Sequence, residues 1–375
     1  MSESSNKSVL VIGGGCAGVS FISGLRKLDP TVDIILVEPK DFCELIWACY
    51  RSPFDEQVAK ASTIPLKEYC EEKRVTHLRS KVKSLTETMA TLEDGTIIEF
   101  TAAVITVGAN MPWKEAGNGL PNGYEGNREE RLERLRKHGE RLLNAKKVVV
   151  IGGGLVGVEL AGDVAGYGKQ KQTAVEVTLV HSGASLVPEF SSGASNMVQS
   201  KLEKLGVKII LNERGYDQKN GKVLLQNSKE QPEDVDEIIS VVGLSSHNSF
   251  VKIDGVFNEK GFLKTDEHSR LIGHNNIFAY GDCAQELRNA AYLIMHNGPV
   301  VANNVMVAME GKPDSDLKVM DTGMNGGMVT IGPNDGVAQL PFTYTQYLLP
   351  RIKNYTMMLP TSKPLMGLKA TSCRG

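Results

Sequence analysis

A turn of the form Gly-x-Gly-x-x-Gly occurs twice in this chain, each time between an apolar run and a helical pattern. Val9-Leu10-Val11-Ile12 is hydrophobic at every position, as in a parallel strand covered on both faces. It breaks at Gly13-Gly14-Gly15, and a helix-period pattern then runs from Ala17 to Leu28, where Asp29-Pro30 stops it. Val32 to Val37 restores the strand, completing one βαβ unit of about 30 residues. The second copy has a strand over Lys147 to Ile151, a break at Gly152-Gly153-Gly154, a helix from Leu155 to Gly166 and a strand over Val175 to Val180. A parallel pair needs its own crossover helix, so two copies predict two α/β units.

The spacing has a chemical purpose in each unit. Gly13 permits the tight turn, Gly15 lets a pyrophosphate approach the backbone, and Gly18 lets helix and strand pack closely. The anion then rests on the helix N-terminus, where free N–H groups and the dipole favour it. Glu38, about 20 residues further on, closes the second strand where a carboxylate accepts ribose hydroxyls. The whole loop, including Gly14, Cys16 and Ala17, is therefore a candidate cofactor contact. Gly152, Gly154 and Gly157 repeat the pattern, but the following strand ends in His181. A carboxylate there would select NAD and repel the 2′-phosphate of NADP; histidine leaves either cofactor open. It is read equally as a cofactor contact or as a strand-end residue. One chain with two such sites predicts a relay from NAD(P)H through FAD to a second acceptor.

Composition narrows the rest. The net charge of −2 and the lack of a basic stripe argue against nucleic acid as a partner. Six cysteines include no Cys-x-x-Cys pair, which points to a reducing compartment and to no metal site. The start has no apolar or arginine-rich leader, Ser2 excludes myristoylation, and Cys373 lies one residue too late for prenylation. No apolar run is long enough to span a bilayer. These features predict a cytoplasmic chain, with peripheral contact to a membrane or lipid droplet left open.

These residues, together with Glu159 and Tyr280-Gly281-Asp282, resemble the two-dinucleotide flavoprotein reductases of glutathione-reductase-like fold. Within them the chain is similar to the apoptosis-inducing-factor 2 or ferroptosis-suppressor branch of NAD(P)H:quinone oxidoreductases. The similarity lies in Lys40-Asp41-Phe42 through Ser52, Val180-His181-Ser182, Ala291 through His296, and Gly332-Pro333-Asn334-Asp335-Gly336-Val337. It implies FAD contacts from Lys40, Arg51 near the phosphates, Val82 at the adenine and Asp282 at the ribityl or phosphate part. Gly108 and Gly243 would close turns where the chain crosses between domains. There Thr-Val and Val-Val replace the family's Ala-Thr, so only backbone roles are expected. Glu159 would sit near the nicotinamide as the catalytic residue. The tail from Pro360 to Lys369 matches loosely, with Lys363 near a lysine of that family.

The resulting expectation is an FAD domain of residues 1–145 and 255–315, an NAD(P)H domain of 146–254, and a C-terminal segment of 316–375 shaping the acceptor site. The charged stretch Asn127 to Lys146 reads as a solvated helix with Leu132, Leu135 and Leu142 on its buried side. A helix from Ala290 to Met309 would aim its N-terminus at the flavin, with His296 packed on it. Phe342, Tyr344, Tyr347, Leu348, Leu349, Tyr355, Met357 and Met358 suit a quinone-type acceptor, a membrane surface or a homodimer interface. Alternatives are a monodehydroascorbate- or ferredoxin-reductase-like enzyme and a redox-sensing flavoprotein that signals through a partner. A disulfide reductase fits less well, because five residues separate Cys43 and Cys49 and on a helix their thiols would face apart.

Overall fold

The computed structural model describes residues 7–110, 126–217, 223–227, 235–284, 291–323, 326–341, 343–345, 353 and 356–369. Phe342, Tyr347, Leu348, Leu349, Tyr355, Ala290 and Cys373 lie outside these residues. Both apolar runs are strands. In the first unit, β1 (Ser8–Ile12), α1 (Cys16–Leu28) and β2 (Asp33–Val37) form the expected crossover. Their parallel sheet has the strand order Ile277–Ala279, Ala102–Ile105, β1, β2, Val75–Leu78. In the second, Lys147–Ile151 pairs in parallel with Glu176–Val180 and Glu237–Ser240, around the helix Leu155–Gln170. The fold is therefore α/β with two Rossmann-like sheets.

The Ile277–Ala279 strand and the helix Ala291–Met309 return late in the chain to the first sheet. That helix lies against α1 through missing side chains: a Cβ on Gly24 would fall 2.8 Å from Pro299 Cα. Pro299 sits inside the helix and has no N–H to give the Met295 carbonyl, four residues back. Ser20 of α1 replaces it, its Oγ donating to Met295 O at 2.7 Å. The proline is thus satisfied by the neighbouring helix rather than by its own.

The C-terminal part divides between the two units instead of packing wholly at a flavin site. Strands Gly327–Ile331 and Asp335–Gln339 form an antiparallel hairpin. Val329, Ile331 and Val337 are buried with Leu160, Ala161 and Val164 of the second unit's helix. A Cβ on Gly162 would approach Gly332 N to 2.8 Å, so the hairpin turn lies directly on that helix. Met357, Leu359, Met366 and Leu368 instead join the core under α1. The charged helix spans Arg128–Asn144, with Leu135 and Leu142 fully buried and Leu132 packed at the margin.

One side chain ties these pieces together. Arg51, fully buried, donates from Nη2 to Asp163 Oδ1 at 2.8 Å and to Gly332 O at 2.8 Å. First unit, second unit and hairpin thus meet at a single guanidinium. Removing one partner of a buried pair leaves an uncompensated charge, a cost of about 3–5 kcal/mol. Arg51→Met is expected to lower unfolding stability by about that amount, and the double variant with Asp163→Leu to recover much of it. Urea titration of the three proteins is the check; an unchanged single variant would refute the tie.

Candidate cofactor clefts and the charged seam

Gly15 precedes α1 as its N-cap with an extended backbone and no side chain, so the cap itself accepts none of the first-turn N–H groups. A Cβ on Gly15 would meet nothing within 4 Å, which is the clearance an anion needs at this helix end. A Cβ on Gly18 would overlap Gly13 O, so only glycine lets the helix lie this close to its own turn. Gly13 has φ +107° and its Cβ position is 2.6 Å from Thr106 O. A cleft of about 670 Å³ opens in front of this turn. It gathers Gly13, Gly15, Cys16, Ala17, Glu38, Lys40, Val82, Gly108 and Asp282 from distant parts of the chain.

Gly14 and Glu38 meet at the edge of the turn. Glu38 Oε2 accepts from Gly14 N–H at 2.7 Å and Oε1 from Lys40 N–H at 3.1 Å, which points the carboxylate along the cleft wall. A Cβ on Gly14 would stand 2.8 Å from Glu38 Cγ. Burial raises the Asp282 carboxyl above its ordinary range, so the charged form calls for donors such as sugar or ribityl hydroxyls. Glycine loop, open helix end and the two carboxylates together fit the dinucleotide FAD.

The second unit repeats the construction with one substitution. Gly154 begins the helix Leu155–Gln170 without a side-chain cap, and its Cβ position is open. A Cβ on Gly157 would overlap Gly152 O. Gly152 and Gly243 have φ +119° and +80°. His181 Nδ1 accepts from Gly153 N–H at 3.1 Å, the same bond that Glu38 makes with Gly14. An accepting Nδ1 places the ring proton on Nε2 and leaves the imidazole neutral, and burial lowers its pKa further. The turn therefore keeps its acceptor without a carboxylate to repel a 2′-phosphate.

One expected cofactor contact lies elsewhere. Arg51 is not in the FAD cleft; its guanidinium is engaged by Asp163 and the hairpin carbonyl. Glu159, on the helix behind the second glycine turn, is 6% exposed and held from three sides. Its Oε1 accepts from Thr330 N at 2.9 Å, Thr330 Oγ1 at 3.1 Å and Lys353 Nζ at 2.6 Å. Lys353, rather than Lys363, is the lysine at this carboxylate. Thr106 also has a side-chain role that the turn comparison did not foresee. Its buried hydroxyl donates toward Ile12 O and Gly13 O, at 3.0 and 2.8 Å, strapping the neighbouring strand to the turn. A polar residue at the end of a fully apolar strand was its one signal; Lys353 and Asp163 carried none. Cys43 lies in β3 (Phe42–Glu44), so the helical spacing assumed for Cys43 and Cys49 does not exist. His296 packs against Tyr292 in a tilted contact, with ring centroids 4.1 Å apart.

A cleft at the first glycine turn and a second glycine turn with an uncapped helix end, on two Rossmann-like units, fit an oxidoreductase that joins a flavin to a nicotinamide. The chain belongs to the pyridine nucleotide-disulphide oxidoreductase family, whose model matches residues 7–306. FAD and NAD(P)H are its cofactors, and it is an NAD(P)H-dependent flavin oxidoreductase. It is 27% identical to apoptosis-inducing factor homolog B of Dictyostelium discoideum, over 90% of each chain. It is 28% identical to ferroptosis suppressor protein 1 of Xenopus laevis, over 88% of each. The fold is similar to the NADH complex of NDH2 from Plasmodium falciparum, with TM-score 0.74 and 15% identity over 96% of this chain and 97% of that one. It is also similar to the sulfide:quinone oxidoreductase of Aquifex aeolicus, with TM-score 0.76 and 17% identity over 93% and 89%. Among the described residues, no helix is long and apolar enough to cross a membrane.

Two substitutions test these clefts. Gly14→Ala pushes on Glu38 and is expected to reduce flavin content, read from the visible-to-protein absorbance ratio of the purified chain. His181→Glu restores a carboxylate and is expected to raise KM for NADPH about tenfold, equivalent to about 1.4 kcal/mol, while sparing NADH. Equal KM changes for the two donors would count against the role given to His181.

Proposed function

We propose that this chain transfers reducing equivalents from NAD(P)H, through FAD, to a quinone-type acceptor. The reading rests on the largely buried Lys353–Glu159 pair where the C-terminal segment meets the second unit's helix. A quinone takes up protons as well as electrons. Lys353 Nζ, 12% exposed at its side chain, holds its protons between Glu159 Oε1 and Met328 O, the latter at 2.8 Å. Thr330 orients the same carboxylate oxygen, so pair and hairpin form one rigid group. Bound FAD supplies the two-electron chemistry between donor and acceptor. The role of this chain is to seat both dinucleotides, exclude water from the seam and keep a proton donor at Lys353 Nζ.

An apolar acceptor also suits the cleft rim. Ile46 and Ile294 line it, and Tyr292 at the start of the Ala291–Met309 helix is 57% exposed. A disulfide acceptor has less support: Cys49 is buried and its thiol is pushed well above the ordinary range by desolvation. The name of the Aquifex aeolicus relative in fold, a sulfide:quinone oxidoreductase, agrees in reaction type. In this reading residues 1–145 and 255–315 hold FAD, 146–254 hold NAD(P)H, and 316–375 face the acceptor. A peripheral membrane or lipid-droplet position, in a cytoplasmic chain, would bring it to an apolar quinone; a homodimer is compatible with this arrangement.

Stopped-flow absorbance at the oxidised-flavin band, with NADH or NADPH followed by a short-chain quinone, is the test. Bleaching by either donor and recolouring by quinone are expected. Glu159→Ala should slow bleaching by NADH, and Lys353→Met should slow recolouring, each by about 10²-fold with FAD retained. Bleaching without quinone-dependent recolouring would move the acceptor outside the quinone class.

A further inference from the structure

The wall of the FAD cleft contains a carboxylate that is not among the expected cofactor contacts. Glu44 ends β3, lines the cleft and is 5% exposed. Arg131 of the charged helix, fully buried, donates to it from Nε at 3.0 Å and from Nη2 at 2.9 Å. Both bonds fall on Oε1. A guanidinium commonly meets a carboxylate as a fork, with one N–H on each oxygen. Here Oε2 is left over: among the described residues no hydrogen bond reaches it. Arg131 Nη1 is fully enclosed and unbonded, so the guanidinium is held by Glu44 alone among the described residues. Oε2 is not enclosed in this way, and the open space beside Glu44 is the cleft.

The position of Glu44 along the cleft restricts what that oxygen can meet. Cys16 Sγ, at the start of α1, lies 3.5 Å from Glu44 O, so the residue stands beside the helix end that suits a pyrophosphate. Glu38, read as the ribose contact, and the rim residues Ile46 and Ile294 line the same cleft. A phosphate repels a carboxylate and brings it no proton to accept. Lys40, over the Phe42 ring and 4.0 Å from Glu38 Oε1, supplies a cation for the phosphates on this stretch of wall. Beyond the pyrophosphate, the donors that FAD offers are the hydroxyls of its ribityl chain. A nearly buried acceptor without a bond is costly, and a ligand hydroxyl removes that cost.

We propose that Glu44 Oε2 accepts a hydrogen bond from a ribityl hydroxyl of FAD, and that Arg131 is the positioning residue that presents this oxygen to the cofactor. The inference rests on the assignment of the first cleft to FAD. Glu44 then reads a hydroxyl, whereas Lys40 reads charge. Glu44→Gln keeps an oxygen for Arg131 and turns an NH2 group toward the cleft where Oε2 stood. Glu44→Leu combined with Arg131→Met removes both buried charges together, so neither is left without its partner.

The full chain, stripped of flavin, would be titrated with FAD and with analogues lacking the 2′-, 3′- or 4′-hydroxyl of the ribityl chain. Dissociation constants are read from the quenching of flavin fluorescence. The wild-type chain is expected to bind one of the analogues about tenfold more weakly than FAD, the loss of one charge-assisted bond. Both variants should bind FAD more weakly than wild type and show a smaller penalty for that analogue. Equal binding of FAD and all three analogues by the wild-type chain would overturn the contact. A full penalty persisting in both variants would give the hydroxyl to another group and overturn the role of Glu44. Failure of the wild-type chain to take up FAD would instead overturn the cofactor assignment, and the proposal with it.

Discussion

The structure depends on two helices lying against their own preceding turns, Gly18 over Gly13 and Gly157 over Gly152. At that distance no Cβ fits, and the reward for the close approach is an uncapped helix end beside open space. The rest of the cleft in the first unit is arranged around that end. In the first unit Thr106 straps the neighbouring strand to the turn, and Tyr280 OH bonds the first turn of α1 through Ala17 O. The second glycine of each turn has a separate purpose. Gly14 and Gly153 leave room for the side chain at the end of the next strand to lie across the turn and accept its N–H. In one unit that side chain is a carboxylate and in the other an imidazole, so a single backbone device accommodates two different acceptors.

Charge pairs tie separate segments together: Arg51–Asp163 joins the two units, Arg131–Glu44 the charged helix to β3, and Lys353–Glu159 the C-terminal segment to the second unit. Arg51 with Asp163, Arg131 with Glu44, and Lys353 with Glu159 are all buried or nearly so. Such pairs contribute little net stability, because desolvation offsets their attraction. Their value is geometric. A guanidinium with two partners on different segments permits one relative placement, and a hydrophobic contact permits several. The Arg51 tie also reaches the hairpin that supplies Thr330 to Glu159, so the seam and the unit interface are one connected structure.

Much of this could be read in the amino-acid order because the features are local. An unbroken apolar run, a glycine triplet and a helical period are properties of about 30 consecutive residues, and they were enough to find both βαβ units. The spacing to Glu38 and His181 is set by helix and strand lengths, so those positions followed as well. Arg51 was misplaced for the opposite reason. Its neighbours in sequence resemble a cofactor contact, but its partners are Asp163 and Gly332, on elements far along the chain. Lys353 was overlooked because nothing around it is periodic, and the Cys43–Cys49 spacing was read on a helix where the chain forms a strand and a turn.

What the sequence determined alone was therefore the pair of nucleotide-binding turns and the side chains that end their second strands. Steric exclusion at a few glycines and the periodicity of apolar residues act within one unit and need no knowledge of the rest. The tertiary structure alone decided which charges are paired and which lysine meets Glu159. Those outcomes depend on which distant segments are buried together, and burial strengthens or reverses the behaviour of an ionisable group according to partners that chain order does not specify.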